Sequence, residues 1–275
     1  MIARAVMLAG LAAVLTIPAH LSAGRPTNRT IVLATGHTLR DSGLLDVLIP
    51  VFEKKTGYIV RAVAIGTGQA LVMGKRGDAD VLLTHDPEAE APLVKEGYLI
   101  SRRQFMHNDF IIVGPAQDPA RVARAKSAAA AFTHIAEAKV TFVSRGDDSG
   151  THKRERALWQ AAGLSPTRPW YVEAGQGMGA TLGIANQKQA YTLTDRATFL
   201  NLQKTLGLEI LLEGDPGLLN LYSVLEVNPA KHPKANHAGA RAFSDFLVSE
   251  EGRALIQGFG KERFGQPLYF LDPIM

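Results

Sequence analysis

Cysteine is absent from all 275 residues of the sequence. A chain without cysteine forms no disulfide bond and carries no thiol-linked lipid at its N-terminus. The absence fits an exported bacterial protein that needs no redox chemistry. Long apolar runs are scarce as well: after the first two dozen residues, no segment is long and apolar enough to span a membrane. These absences exclude a lipoprotein and predict a soluble exported protein.

Neither sign of charge dominates the sequence. There are 30 lysine and arginine residues against 26 aspartate and glutamate residues, which gives a net charge of +4 and a pI of about 9.3. The basic residues are scattered, and the densest cluster is the short run HKRER at 152–156. Such a run is more typical of a solvated helix face than of a nucleic-acid interface, so no nucleic-acid partner is predicted. The mild positive field would attract a small anion.

The first 23 residues have the pattern of a secretory signal peptide. Arg4 precedes an apolar run over 5–17, which is followed by a proline and by small residues up to Ala23. The run is too short to cross a bilayer as a helix. We therefore expect residues 1–23 to be a signal peptide, with cleavage after Ala19 as the alternative, and the mature protein to be periplasmic.

Behind this leader, short apolar strand patterns alternate with helical patterns. The first three strands and the helices that follow them are predicted over 30–35 and 42–57, 58–66 and 68–77, and 79–85 and 86–97. Asp41 or Ser42 is expected to cap the first of these helices. The order βαβαβα predicts an α/β fold in which a mostly parallel sheet is flanked by helices.

Two strand patterns of the same kind, a polar entry, an apolar strand and then a proline, occur about a hundred residues apart. They are NDFIIVGP at 108–115 and LYSVLEVNP at 221–229. Such a pair predicts a chain that crosses from one lobe to a second lobe and then returns, with the two crossover strands as a hinge. We expect residues 24–112 and 225–275 to form lobe I and residues 113–224 to form lobe II.

Four loops rich in glycine, serine and threonine follow predicted strands and precede predicted helices. They lie at 34–43, 65–70, 144–152 and 173–181. Ligands bind at the carboxyl ends of strands in α/β sheets, and free N–H groups at helix N-termini attract anions. One such loop is ordinary turn chemistry, but four together predict an oxyanion site. Its candidate donors are Thr35, Thr38, Thr67, Ser149 and Thr151, together with Arg145, whose planar guanidinium can hold two oxygens of one anion.

An enzymatic interpretation rests on weaker patterns. GQGMGA at 175–180, with Asp195 further on, fits the outline of a dinucleotide fingerprint, but an exported protein rarely meets a nicotinamide cofactor. Asp147, Asp148 and His152 could contribute to a metal site, but three such residues are too few for a convincing one. Structural roles also fit: Asp148 as a helix cap, Asp147 as the partner of Arg145 and His152 in solvent. No catalytic residue and no metal site is predicted.

Together with these loops, the surrounding stretches of the sequence resemble the tungstate-binding periplasmic proteins of ABC importers. The resemblance covers nearly the whole mature chain and rests on long stretches, among them DSGLLDVLIPVFEKKTG, GTGQAL, GDADVLLTHDPEAE, SRGDDSGTHK, EAGQGMGATL and AYTLTDRATF. It implies a two-lobed periplasmic binding protein fold, a bound tungstate or molybdate, and no cofactor. It also implies an ABC permease and its ATPase subunit as partners.

The resemblance extends to individual binding residues. The family's first anion loop usually reads ATTTS, and the same place here reads ATGHT, so that Thr35 is kept, Thr38 replaces the serine, and Gly36 and His37 replace threonines. Gly36 can still donate its backbone N–H, and His37 could donate from its ring or face solvent. Further candidates in these segments are Gly68, Asp147, Gly177 and Thr192.

The stretch RGDDSGT at 145–151 also resembles the R-x-D-x-S-G-T pattern of phosphate-binding proteins. Tungstate, molybdate and sulfate are fully ionised at neutral pH and only accept hydrogen bonds, whereas hydrogen phosphate carries a proton and benefits from a carboxylate acceptor. An Asp147 carboxylate facing the ligand would favour phosphate, and one paired with Arg145 would favour tungstate or molybdate. Both alternatives stay open at this point, although the resemblance favours tungstate.

Overall fold

A computed structural model describes residues 28–274, so the predicted signal peptide lies outside the described residues. The strands are β1 Thr30–Gly36, β2 Ile59–Ile65, β3 Val81–Thr84, β4 Leu99–Pro115, β5 Phe142–Ser144, β6 Tyr171–Glu173, β7 Thr192–Asp195, β8 Leu208–Leu212, β9 Leu219–Val227 and β10 Phe270–Leu271. The α-helices are α1 His37–Asp41, α2 Leu44–Thr56, α3 Thr67–Arg76, α4 Pro87–Lys95, α5 Ala128–Ala138, α6 Gly150–Ala161, α7 Met178–Lys188, α8 Arg196–Leu202, α9 His237–Val248, α10 Glu250–Gly258 and α11 Lys261–Phe264. None of the helices within residues 28–274 has the length and apolar character needed to cross a membrane.

The larger sheet has the strand order β10-β4-β9-β3-β1-β2. Strands β2, β1 and β3 are parallel, as the alternating pattern predicts, and β9 runs antiparallel to both β3 and β4. Because β1, β2 and β3 are parallel, the loops that follow them lie at one edge of the sheet. These three loops lead directly into α1, α3 and α4.

Strand β4 connects two sets of strands. Its first part, up to Asp109, pairs with β9, and its second part, from Phe110 onward, pairs with β7 and β8. The sequence pattern predicted only the second part, over 108–115. The first part, which begins at Leu99, was missed because its polar residues Ser101, Arg102 and Arg103 interrupt the apolar pattern.

The apolar interior is divided on either side of this change in pairing. One group of buried side chains includes Phe52, Tyr222 and Phe243, the last of these from α9. Another group includes Phe132 and Trp159, which pack ring to ring at 4.4 Å. The chain thus has the expected two-lobed α/β form, since each group has strands and helices of its own. The limits of the lobes at 112/113 and 224/225 remain a prediction.

Two predicted helix caps are wrong. Helix α2 is preceded by Gly43 with φ of +86°, and neither Asp41 nor Ser42 occupies its cap position. Residues 37–41 form a short helix of their own, so the chain turns through a left-handed glycine before α2 begins. Helix α6 is capped by Ser149, whose hydroxyl accepts from the N–H of His152 at 3.3 Å, and not by Asp148.

Candidate functional site

A cavity of about 810 Å³ lies where the two sets of strands meet, and we refer to it as the cleft. Three of the four loops singled out in the sequence line it. The first contributes His37, the second Thr67 and Gly68, and the third Arg145, Asp147 and Ser149. The cleft therefore brings together residues that are more than a hundred positions apart in the chain.

Helix N-termini face this cleft from both sides. Helix α3 begins at Thr67 and helix α6 begins at Gly150, and both residues line the cleft. The first N–H groups of a helix have no partner within the helix, and they carry the positive end of its dipole. Gly36, at the end of β1, lies next to Thr67: a Cβ built on Gly36 would be 3.6 Å from the Thr67 hydroxyl oxygen. This edge of the cleft is suited to an anion.

Arg145 supplies the guanidinium of the site. One of its terminal nitrogens donates to Asp147 Oδ2, and its Nε is buried without a hydrogen-bond partner among the described residues. The other carboxylate oxygen of Asp147 accepts from the backbone N–H of Ser149 at 3.2 Å. Partial burial acts to raise the pKa of Asp147, but the hydrogen bonds from Ser149 and the charge of Arg145 outweigh it and hold the pKa below its usual value. Asp147 is thus an ionised partner of Arg145.

Thr67 offers a hydroxyl that is free to donate. The residue is only 6 % exposed, and its Oγ1 is buried with no hydrogen-bond partner within residues 28–274. A buried polar atom without a partner is costly, and natural proteins keep few of them. Because Thr67 lines the cleft, an oxygen of a bound anion would satisfy this hydroxyl.

Other predicted donors do not line the cleft. The hydroxyl of Thr35 donates to the carbonyl of Leu83 at 2.8 Å, and that of Thr192 donates to the carbonyl of Val143 at 2.7 Å. A hydroxyl has one proton, so neither side chain has another to give to an anion that only accepts. Gly36, Thr38, Thr151 and Gly177 also lie off the lining, and the fourth loop, at 173–181, contributes no residue to it. For these residues a role in binding remains a prediction that no contact in the structure supports.

Two cations in the cleft were missed by the sequence interpretation. Lys153 and Arg154 belong to the run HKRER, which was interpreted as a solvated helix face, yet both line the cleft. Arg154 also donates to the carbonyl of Leu219 at 3.0 Å, and Lys153 Nζ lies 3.7 Å from the position of a Cβ on Gly68. The helical period provided the missing signal: Lys153, Arg154 and Ala157 lie three, four and seven residues after Gly150 and so share its face of α6, whereas Arg156, six residues after it, does not.

The alternative sites have little support in the described part of the chain. GQGMGA does follow a strand and open a helix, α7, but Asp195 caps α8 by accepting from the N–H of Thr198 at 2.8 Å. Within residues 28–274, no group of three or more histidine, aspartate and glutamate side chains could hold a metal ion. His152 accepts a hydrogen bond at Nδ1 from the backbone N–H of Asp148 at 3.0 Å, which is a structural role within the loop.

Comparison with known proteins gives consistent matches. A family model described as a PBP superfamily domain matches residues 21–251. A tungstate-binding protein TupA of Peptoclostridium acidaminophilum is 48% identical over 242 residues, which cover 87% of this chain and 85% of that protein. A putative ABC transporter anion-binding protein of Haloferax volcanii is 47% identical over 252 residues, covering 90% of this chain and 73% of that protein.

Solved structures agree with these sequence matches. The tungstate-binding protein TupA from Desulfovibrio alaskensis G20 superposes with a TM-score of 0.81 at 41% identity, covering 88% of this chain and 98% of that one. A structure described as the tungstate ABC transporter from Geobacter sulfurreducens superposes with a TM-score of 0.75 at 44% identity, covering 84% of this chain and 98% of that one. The α/β fold and its two-lobed form are those of these proteins.

Proposed function

Since this chain belongs to the PBP superfamily and, within it, to the family of tungstate-binding proteins of ABC transporters, we propose that its cleft captures tungstate. The protein is a solute-binding protein and not an enzyme. It needs no cofactor, because binding and releasing an unchanged anion involves no bond making. The oxyanion is handed to an ABC permease.

One observation carries the proposal: unpaired buried donors and helix N-termini meet in one cleft. Arg145 Nε and Thr67 Oγ1 are both buried without partners among the described residues, and both residues line the cleft beside the first turns of α3 and α6. A small anion with acceptors on all sides would satisfy donors that approach it from both lobes. We propose Thr67, Arg145 and Ser149, with the backbone N–H group of Gly68, as its main contacts.

The state of Asp147 supports a fully ionised anion over hydrogen phosphate. Both of its carboxylate oxygens already accept hydrogen bonds, one from Arg145 and one from Ser149. The lowered pKa of Asp147 means that it is ionised at neutral pH and cannot donate. The hydroxyl of hydrogen phosphate would have to compete with Arg145 and Ser149 for a hydrogen bond to this carboxylate. Tungstate has no proton to donate and so needs no such acceptor. The arrangement thus corresponds to the alternative in which Asp147 pairs with Arg145, which favours tungstate or molybdate over phosphate.

The proposal extends to the location of the protein and to its transport partners. We infer that residues 1–23 are a signal peptide and that the mature protein is periplasmic, because of the charged start, the short apolar run and the small residues that follow. We infer also that an ATPase subunit drives the permease. The support for this partner is the likeness to ABC transporter proteins.

Calorimetric titration of the purified protein with tungstate, molybdate, sulfate and phosphate tests the proposed function. We expect tungstate to bind one-to-one and at least about tenfold more tightly than phosphate. The hydroxyl of hydrogen phosphate would lack a free acceptor, because the nearby Asp147 carboxylate is already paired. Molybdate has nearly the size and charge of tungstate and should bind almost as well. Tighter binding of phosphate than of tungstate would overturn the assignment of the ligand, and no binding of any of the four would overturn the function.

Thr67→Val should weaken tungstate binding by about tenfold, because it removes a hydroxyl that donates to a charged ligand. Its effect on the free energy of unfolding should be small, since this hydroxyl has no partner within the described residues. The matched control is Thr35→Val. That variant removes the hydrogen bond to Leu83 and should lower the free energy of unfolding by about 1 kcal/mol.

Titration calorimetry and chemical denaturation of both variants separate the two roles. Thr67 is excluded from the site if Thr67→Val binds tungstate as the wild type does. A large loss of affinity in Thr35→Val would show that its hydroxyl turns toward the ligand when the anion binds.

A further inference from the structure

His85 occupies a position between the two lobes and was not among the site residues that the sequence indicated. It directly follows β3 and lines the cleft together with Arg145 and Thr67. A Cβ built on Gly36 would lie 3.2 Å from His85 Nε2, and a Cβ built on Gly150 would lie 2.4 Å from His85 Cε1. The ring therefore packs against the backbone that leads into α1 on one side and against the first residue of α6 on the other. A side chain at position 150 would collide with the ring, and one at position 36 would press closely against it.

The imidazole of His85 is neutral at ordinary pH. Its burial lowers its pKa to about 4; the hydrogen bond with Asn220 and the charge of Asp86 oppose this shift, and the cations Arg154 and Lys153 add to it. Its ring also packs against that of Tyr222, with the centroids 5.1 Å apart. A neutral imidazole has one N–H donor and one acceptor, so its net interaction with an anion depends on whether it gains a second proton.

We propose that His85 is an affinity-determining residue of the anion site, which faces the bound anion with its ring and takes up a proton when the anion enters. The inference rests on the proposed function. The Thr67 hydroxyl lies close to His85, since a Cβ built on Gly36 would be 3.2 Å from His85 Nε2 and 3.6 Å from Thr67 Oγ1. An anion held by Thr67 and Arg145 would therefore place its negative charge near the imidazole, and this charge favours the imidazolium form.

The direction of the pH dependence follows from these two states. In the free protein the pKa of His85 is about 4, and a bound dianion raises it. Below about pH 4 the His85 ring is charged both in the free and in the anion-bound protein. The attraction between the imidazolium and the anion therefore contributes fully to the affinity there. As the pH rises through the pKa of the bound state, the gain is lost. Between the two values, binding takes up a proton and affinity increases as the pH falls.

Other charged groups face the ring from the surrounding elements. Asp86 adjoins it in the chain, and Lys153 and Arg154 approach it from α6. The remaining titratable groups that line the cleft are His37, Glu88, Arg145, Asp147 and Asp148. His37 is the other imidazole among them and lies exposed at the start of α1, so it must be separated from His85 by experiment.

Tungstate titration calorimetry between about pH 5 and pH 8, in pairs of buffers with different ionisation enthalpies, measures the proton uptake. The wild type should take up a fraction of a proton at the acidic end and almost none at the alkaline end. His85→Gln should abolish this uptake and weaken binding at the acidic end by about tenfold. His37→Gln should retain the uptake, and His134→Gln, at a residue of α5 that does not line the cleft, should behave as the wild type.

A measurement on the unaltered protein accompanies the variants. Histidine-ring NMR spectra should show one imidazole that titrates at unusually low pH and that shifts to higher pH with tungstate. The inference is overturned if His85→Gln takes up as many protons as the wild type, or if no ring responds to the anion. Failure of the wild type to bind any oxyanion would overturn the proposed function and this inference together, whereas binding without proton uptake would overturn the inference alone.

Discussion

Arg145→Ala should weaken tungstate binding by at least about a hundredfold, since hydrogen bonds to charged groups contribute about 1.5–3 kcal/mol each and a guanidinium makes two of them. Arg145 faces the cleft from the loop before α6, and its buried Nε has no partner among the described residues. Its fork can therefore engage the anion while one terminal nitrogen still holds Asp147. A second effect acts in the same direction, because removal of the arginine leaves the charge of Asp147 facing a dianion.

Titration calorimetry of three variants separates these two effects. Arg145→Lys keeps the charge but loses the planar fork, so its affinity should fall between those of the wild type and Arg145→Ala. The double variant Arg145→Ala/Asp147→Asn removes the remaining carboxylate charge and should recover part of the loss. Full recovery in the double variant would mean that Arg145 only neutralises Asp147 and does not contact the ligand.

Arg156→Ala is the matched control for the lost charge. Arg156 is an exposed residue of α6 that lies outside the cleft, and its removal changes the net charge by the same amount. We expect its tungstate affinity to stay within about twofold of the wild type, since exposed charges are screened by salt. Equal losses in Arg145→Ala and Arg156→Ala would show that the general positive field, and not a direct contact, holds the anion.

Arg196→Met should lower the free energy of unfolding by about 3–5 kcal/mol, because it leaves a buried carboxylate without its partner. Arg196, the first residue of α8, is 8 % exposed, and its partner Asp109 is 7 % exposed. Arg196 Nε donates to the two carboxylate oxygens of Asp109 at 2.8 and 3.1 Å, and Nη2 reaches Glu213 at 2.7 Å. The hydrogen bonds to Asp109 further raise the high pKa of Arg196, so the guanidinium keeps its charge.

The position of this ion pair makes the loss important for the fold as a whole. Asp109 is the last residue of β4 that pairs with β9, and the next residue, Phe110, pairs with β7. The ion pair thus ties α8 to the strand that links the two groups of strands. An unpaired carboxylate at Asp109 would be buried at this junction, where the surrounding strands prevent it from reaching water.

Urea denaturation followed by circular dichroism measures the change. The control Arg40→Met breaks an exposed pair with Asp41 and should cost less than about 1 kcal/mol. The double variant Arg196→Met/Asp109→Leu removes both charges and should regain most of the stability, since apolar packing can replace a buried ion pair. A loss of less than about 1 kcal/mol in Arg196→Met would show that water reaches Asp109 and replaces the lost hydrogen bonds.

Local sequence signals predicted the order of strands and helices well. Gly57 and Gly77 end α2 and α3 with positive φ, and the apolar run after Thr30 forms a fully paired strand. These signals act over a few residues, because helix ends and side-chain alternation depend only on neighbouring positions. They failed where polar residues lie within a strand, as in the first half of β4.

The residue types of the site could also be recognised from the sequence. Glycine-rich turns after strands, the arginine in SRGDDSGT and the helix starts all indicate an anion, since each supplies donors in a short stretch of chain. The pairing of Arg145 with Asp147 was one of the roles considered for that aspartate, and the structure contains this pair. Such neighbours in sequence are bound to be close in space.

The roles of other residues depend on contacts between distant parts of the chain. The hydroxyl of Thr35 is used by Leu83, which lies 48 positions away, whereas the hydroxyl of Thr67 stays available for a ligand. His85 became a candidate only because Gly36 and Gly150, from opposite sides of the cleft, both pack against its ring. The sequence by itself determined the elements and the kind of ligand, because these follow from local backbone and side-chain chemistry. Only the tertiary structure decided which donors face the cleft, since a hydroxyl gives its single proton to the nearest acceptor in space.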